Sequence, residues 1–149
     1  MKAMDNSVDY VRRNRRKFLQ AEQVEPIELT ERLLGDALYA GASECTVLRH
    51  KDWWIIISST DWLDGHDVYS PEDIFQHIVP MPEAGPNAMR GEVLLMAFAQ
   101  KVVTATPTAC RVISGEVSMH DEVWRFVSKF PRWERMIAFS VDSSTARVV

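Results

Sequence analysis

Apolar residues recur at helical spacing along the first third of the chain. Val8, Val11, Phe18 and Leu19 fall on one side of a stretch predicted as helix over 7–21, with Arg12, Arg13, Arg15, Arg16 and Lys17 on the other. Pro26 fits a first helical turn but not a helix interior, so it separates this helix from a second. In the second, Leu29, Leu33, Ala37 and Leu38 keep helical spacing, Leu34 widens the apolar side, and Gly41 stands where a C-terminal cap needs left-handed backbone. The pattern then changes. "ECTVLRH" alternates in part, and after a polar turn at Lys51-Asp52 the β-branched run "WWIIISS" fits a strand buried on at least one face, so the two read as a hairpin. Adjacent Trp53 and Trp54 then point to opposite faces, one of them toward solvent. An exposed Trp beside Trp62 would favour a partner or self-association surface.

Residues 60–87 are loop-rich. Within them "SPEDIFQHIV" carries a helix start: Ser70 as N-cap, Pro71 in the first turn, Glu72 and Asp73 near the positive helix end. Pro80 and Pro82 keep that helix short. "MRGEVLLMAFAQ" predicts a helix, and "KVVTATP" with "ACRVISGEV" a second hairpin around Pro107. Ser118 with Asp121 resembles a capping box for "MHDEVWRFVSKF", which Pro131 ends, and "RMIAFSVD" is a final strand. Short turns between neighbouring strands imply antiparallel pairing. The predicted fold is a single α+β domain over 1–149: a two-layer sandwich with a mostly antiparallel mixed sheet and helices on one face.

A chain of 149 residues with 46% hydrophobic and 26% charged content can bury one sizeable core. Its longest apolar run falls far short of the roughly 20 residues needed to cross a bilayer. The first residues, "MKAMDNSVDYVRRNRRKF", have no apolar core of the kind a secretion signal needs, so a cytoplasmic protein is expected, with no membrane partner. Cys45 and Cys110 are isolated and read as reduced core thiols. A net charge of −4 opposes bulk attraction to nucleic acid, although the basic cluster Arg12, Arg13, Arg15, Arg16 and Lys17 offers a local phosphate-binding surface. His50, His66, His77 and His120 are scattered, and His66 in "DGHD" lacks the second histidine that would strengthen a metal reading. No G-x-S-x-G, H-E-x-x-H or P-loop motif is present.

Three segments, in order, resemble the GHKL ATP-binding fold of gyrase, MutL and the histidine kinases. They are "RLLGDALYAGASECTV", similar to the helix-one motif in its MutL version, the strand and turn "WWIIISSTDWLDG", and "MRGEVLLMAFAQKVVTAT", similar to the MutL F-R-G-E-A-L helix. "PEDIFQHIV" falls where MutL has a helix ending in a His. The resemblance implies ATP and Mg as cofactors, a carboxylate base and a magnesium ligand on the first helix, an Asp that reads adenine, and glycines that admit phosphates to backbone N–H groups.

Carried over residue by residue, the catalytic Glu position holds Arg32, with Glu31 beside it about 100° around the helix. The magnesium position holds Asp36. The adenine position falls on Ser59, Thr60 or Asp61, with Asp61 or Asp64 able to read a nucleobase, and the lid glycines reduce to Gly85 and Gly91. Arg90 beside Gly91 is a candidate anion ligand.

The expected function is therefore a degenerate GHKL-like binding or regulatory module with weak nucleotide binding through Asp36, Asp61, Gly85, Arg90 and Gly91. The alternatives are an active Mg-dependent ATPase using Glu31, and an interaction module without a small-molecule site. That last module would meet a protein partner, a second copy of itself, or nucleic acid.

Overall fold

The computed structural model describes residues 6–64 and 69–142. The helix predicted over 7–21 is two pieces, α1 (Ser7–Arg13) and α2 (Arg15–Phe18), broken at Asn14. Asn14 sits at φ −116°, ψ 42° and turns its amide onto the Tyr10 carbonyl, the local competition that makes asparagine a poor helix-interior residue. Helix α3 (Pro26–Tyr39) has Pro26 in its first turn, and Gly41 follows its end at φ 92°, as the sequence predicts. The hairpin of β1 (Thr46–His50) and β2 (Trp53–Ser58) turns through Lys51 at φ 56°.

In "SPEDIFQHIV" the expected helix reduces to one 3-10 turn, Asp73–Gln76, although the Ser70 hydroxyl does accept the Asp73 N–H (3.1 Å). Residues 80–89 make an excursion closed by a Pro80–Met89 bridge. Helix α4 (Glu92–Phe98), the hairpin of β3 (Lys101–Thr106) and β4 (Ala109–Ser114), helix α5 (Glu122–Ser128) and β5 (Arg135–Ser140) complete the order. Asp121, rather than Ser118, is the N-cap of α5 and accepts the Val123 N–H (2.9 Å), while Ser118 shapes the turn before it.

The five strands lie in the order β1-β2-β5-β3-β4, and every pairing is antiparallel. The fold is an α+β sandwich. Alternation along the central strands sorts side chains between two cores. Ile56, Val102, Ile137 and Phe139 pack with Val11 of α1, Leu29 and Leu33 of α3, and Val93 to Leu95 of α4. Trp53, Ile55, Ile57, Val103, Met136 and Ala138 face the other way, where Val123 and Val127 of α5 cover them. The main helical layer lies on one face as expected, and the short α5 adds cover on the other. Trp53 and Trp54 do take opposite faces, but neither is left to solvent. Trp53 is 3% exposed, and Trp54 lies under the Arg49 guanidinium, 3.9 Å from its ring centroid.

Candidate functional site

Helix α3 presents Arg32 and Asp36 one turn apart, spacing that places both on the same side of the helix. That side meets the chain entering α4, where Met89, Arg90, Gly91 and Glu92 follow one another. Asp36 is 5% exposed; its Oδ2 accepts the Gly91 N–H at 2.5 Å and lies 3.5 Å from Arg32 Nε. Arg32 also donates from Nη2 to the Met89 carbonyl (2.6 Å). Arg90 and Glu92 form a two-pronged ion pair, both contacts 3.0 Å, in which the Glu92 side chain is fully buried. Four charged side chains and one backbone amide thus form a mostly buried network between α3 and α4.

Burial dominates the electrostatics of Asp36. It raises the carboxyl to about 6, with Arg32, the Gly91 amide and Arg90 opposing the rise and Glu92 adding to it. Gly91 is the residue that permits this approach: a Cβ there would lie 2.7 Å from Arg32 Cγ and 2.9 Å from Asp36 Oδ2. Asp36 and Arg32 also line a cavity of about 470 Å³ between α3, the end of α2 and the 80–89 excursion, together with Lys17, Phe18, Glu31 and Tyr39. Glu31 stands exposed on its rim.

The structure brings together Asp36, Arg90 and Gly91 from the expected set. Gly85 lies in the 80–89 excursion at φ 140°, with open space where a Cβ would be. Asp61 is engaged elsewhere. Its carboxylate accepts Arg135 Nε (2.8 Å) and Nη2 (3.0 Å) and the Leu63 N–H (3.2 Å), fastening the loop after β2 to the start of β5. Arg135 reaches on to the Thr104 hydroxyl (3.2 Å), so Asp61 is bound into the sheet rather than presented to a base. Asp64 lies in the same turn, its N–H on Asp61.

Two of the five basic residues of the cluster are also occupied. Arg12 donates to the carbonyls of Ala97 and Met96 (both 3.0 Å), satisfying the C-terminal end of α4, and Lys17 donates to the Tyr10 hydroxyl (3.0 Å). Arg13 and Arg16 remain exposed. Among the described residues no group of three His, Cys, Asp or Glu side chains is placed to hold a metal ion, and His66 lies outside those residues. Cys45 and Cys110 are free thiols, both half-buried. Among the described residues no helix is long and apolar enough to cross a membrane.

Sequence reasoning missed the Arg90–Glu92 pair and the turning of Asp36 onto the Gly91 amide. The i,i+4 spacing of Arg32 and Asp36 was a usable signal for the first half of the network. Its meeting with residues some 55 positions further on was not. No protein-family model, curated protein or solved structure matches the chain.

Proposed function

We propose that this chain is a GHKL-like domain without ATPase chemistry, acting as a binding or regulatory module. The observation that supports the reading is that the chain's own side chains close over the Gly91 amide, which the resemblance would give to phosphate. Asp36, at the family's magnesium position, takes the Gly91 amide, and Arg32, at the position of the catalytic carboxylate, lies across the same glycine. A guanidinium cannot abstract a proton from water, and a carboxylate on that amide repels a phosphate. Glu31, beside Arg32 on the same helix, is solvent-exposed, and no hydrogen bond among the described residues orients it as a base.

Binding then falls to the outer surface. Ile27 (57% exposed), Leu38 (55%) and Tyr39 (58%) of α3 supply apolar area for a polypeptide partner, a second copy included. Calorimetric titration with Mg-ATP, alongside a phosphate-release assay, tests the reading. The expected result is no phosphate above the protein-free blank and no saturable heat at millimolar nucleotide. Turnover that Glu31→Gln abolishes would replace the reading with the ATPase. Saturable heat without turnover would keep the module and return nucleotide to it as a ligand.

A further inference from the structure

The chain between β4 and β5 folds largely on itself. Its backbone bonds run from the Asp121 N–H to Ser118 O (3.0 Å), from Trp124 to Asp121 O (3.3 Å), from Lys129 to Phe126 O (3.3 Å) and from Phe130 to Val127 O (3.1 Å). The Trp124 indole N–H also turns inward, to Ser118 O (2.9 Å). Among the described residues no backbone hydrogen bond joins 116–131 to the sheet; the first such link, Glu134 N–H to Ser58 O (2.8 Å), lies beyond it. Left-handed backbone bounds the segment at both ends, at Gly115 (φ 84°) and Arg132 (φ 59°).

Two kinds of contact hold the segment down. Val123 and Val127 are buried on the second sheet face, where Val117, Trp124, Phe126 and Phe130 pack around them, with Phe126 stacked on His50 at 4.4 Å between ring centroids. Among the described residues the polar contacts come from the tip of the β1–β2 hairpin and converge on Asp121 and Glu122 at the start of α5. Trp53 Nε1–H donates to Asp121 Oδ1 (3.2 Å), His50 Nε2 meets Glu122 Oε1 (2.9 Å), and Lys51 Nζ donates to Glu122 Oε2 (3.0 Å). The same corner holds Lys101 over the Trp53 ring, 4.8 Å from its centroid, and 4.0 Å from Asp52.

We propose that α5 is a flap on the second sheet face, hinged at Gly115 and Arg132 and clamped through Asp121 and Glu122 to the hairpin tip, which opens as a unit while the five-stranded sheet stays folded. Local opening of this kind is the ordinary behaviour of a segment whose backbone bonds are its own and which reaches the sheet through side chains alone. Opening uncovers Trp53, Ile55, Val103 and Ala138, which share the core cluster of α5. The Lys51–Glu122 contact is solvent-exposed, so salt weakens the clamp, while the apolar sheet core is indifferent to it. The proposal is independent of the family reading, because none of these residues belongs to the Asp36 network.

Amide hydrogen exchange read residue by residue tests it, with Phe126 and Val127 reporting on the flap and Ile137 on the sheet. In Glu122→Gln the flap amides are expected to exchange about twofold to fivefold faster at unchanged Ile137. Raising salt to about 0.5 M should do the same in the unaltered chain and add little in the variant. Lys51→Ala, which leaves the acid at the helix start, separates the clamp from any change in the helix itself, and it too should accelerate Phe126 and Val127. The proposal is overturned if flap and sheet amides accelerate together, if neither responds, or if Glu122→Gln acts while Lys51→Ala does not.

Discussion

Two charge clusters tie helices to the rest of this molecule, and solvent treats them in opposite ways. At the α3–α4 joint, Asp36 is surrounded by Arg32, Arg90 and a backbone donor, yet its carboxyl is raised to about 6 because burial outweighs all of them. At the hairpin tip, Glu122 has only His50 and Lys51, yet those contacts lower it to about 2, because it keeps its water and has almost no desolvation to overcome. The number of cations nearby does not decide whether an acid is stabilised. What decides it is whether the acid was dehydrated to reach them. The buried cluster therefore fixes how α3 and α4 meet at a cost in stability, and the exposed one contributes a small, salt-sensitive hold.

The sharpest way to break the contrast is to strand a charge in each cluster. Glu92→Ala leaves Arg90, itself 7% exposed, buried without its partner, and a loss of about 3–5 kcal/mol is expected in urea unfolding. Gly91→Ala comes next, because its Cβ would collide with both Arg32 and Asp36; about 1–3 kcal/mol should be lost, recovered in part when Arg32 is also truncated to Ala.

Asp36→Asn tests the sign. The folded value lies above the ordinary 3.8, so the contribution of this group is fully present below pH 3.8 and is lost as pH rises through about 6. The variant, which keeps an acceptor for the Gly91 N–H, should therefore gain on the unaltered chain by about 1–2 kcal/mol between pH 4 and 7.5, measured as the difference in urea stability. A constant difference across that range would mean that Asp36 is not dehydrated. Glu122→Gln should show the smallest effect and the opposite dependence. Its folded value lies below 4.5, so the difference from the unaltered chain should persist at pH 5 and above and disappear as pH falls through about 2.

Local chemistry made much of the fold legible. The β-branched run "WWIIIS" and the apolar run "RMIAFS" are strands as read, and Gly41, Pro26 and Ser70 act where their stereochemistry requires. The misreadings came from residues whose partners are distant in sequence. Arg12 looked like a phosphate ligand because nothing nearby reveals that its fork meets carbonyls 84 and 85 residues away. Asp61 looked available until Arg135, 74 residues on, was placed beside it. Asn14 is the exception, a local signal passed over: its side chain takes the Tyr10 carbonyl and splits a helix that apolar spacing alone carried through.

The position of β5 has a consequence for synthesis. Although it is the last strand among the described residues, it lies between β2 and β3 and joins the β1–β2 hairpin to the β3–β4 hairpin. Until Arg135–Ser140 has left the ribosome, the two hairpins have no strand in common, and their apolar inner edges stand unpaired. Completion of the sheet must therefore wait for those six residues. Any shortened product lacking that strand would emerge as two sticky ribbons in need of a chaperone.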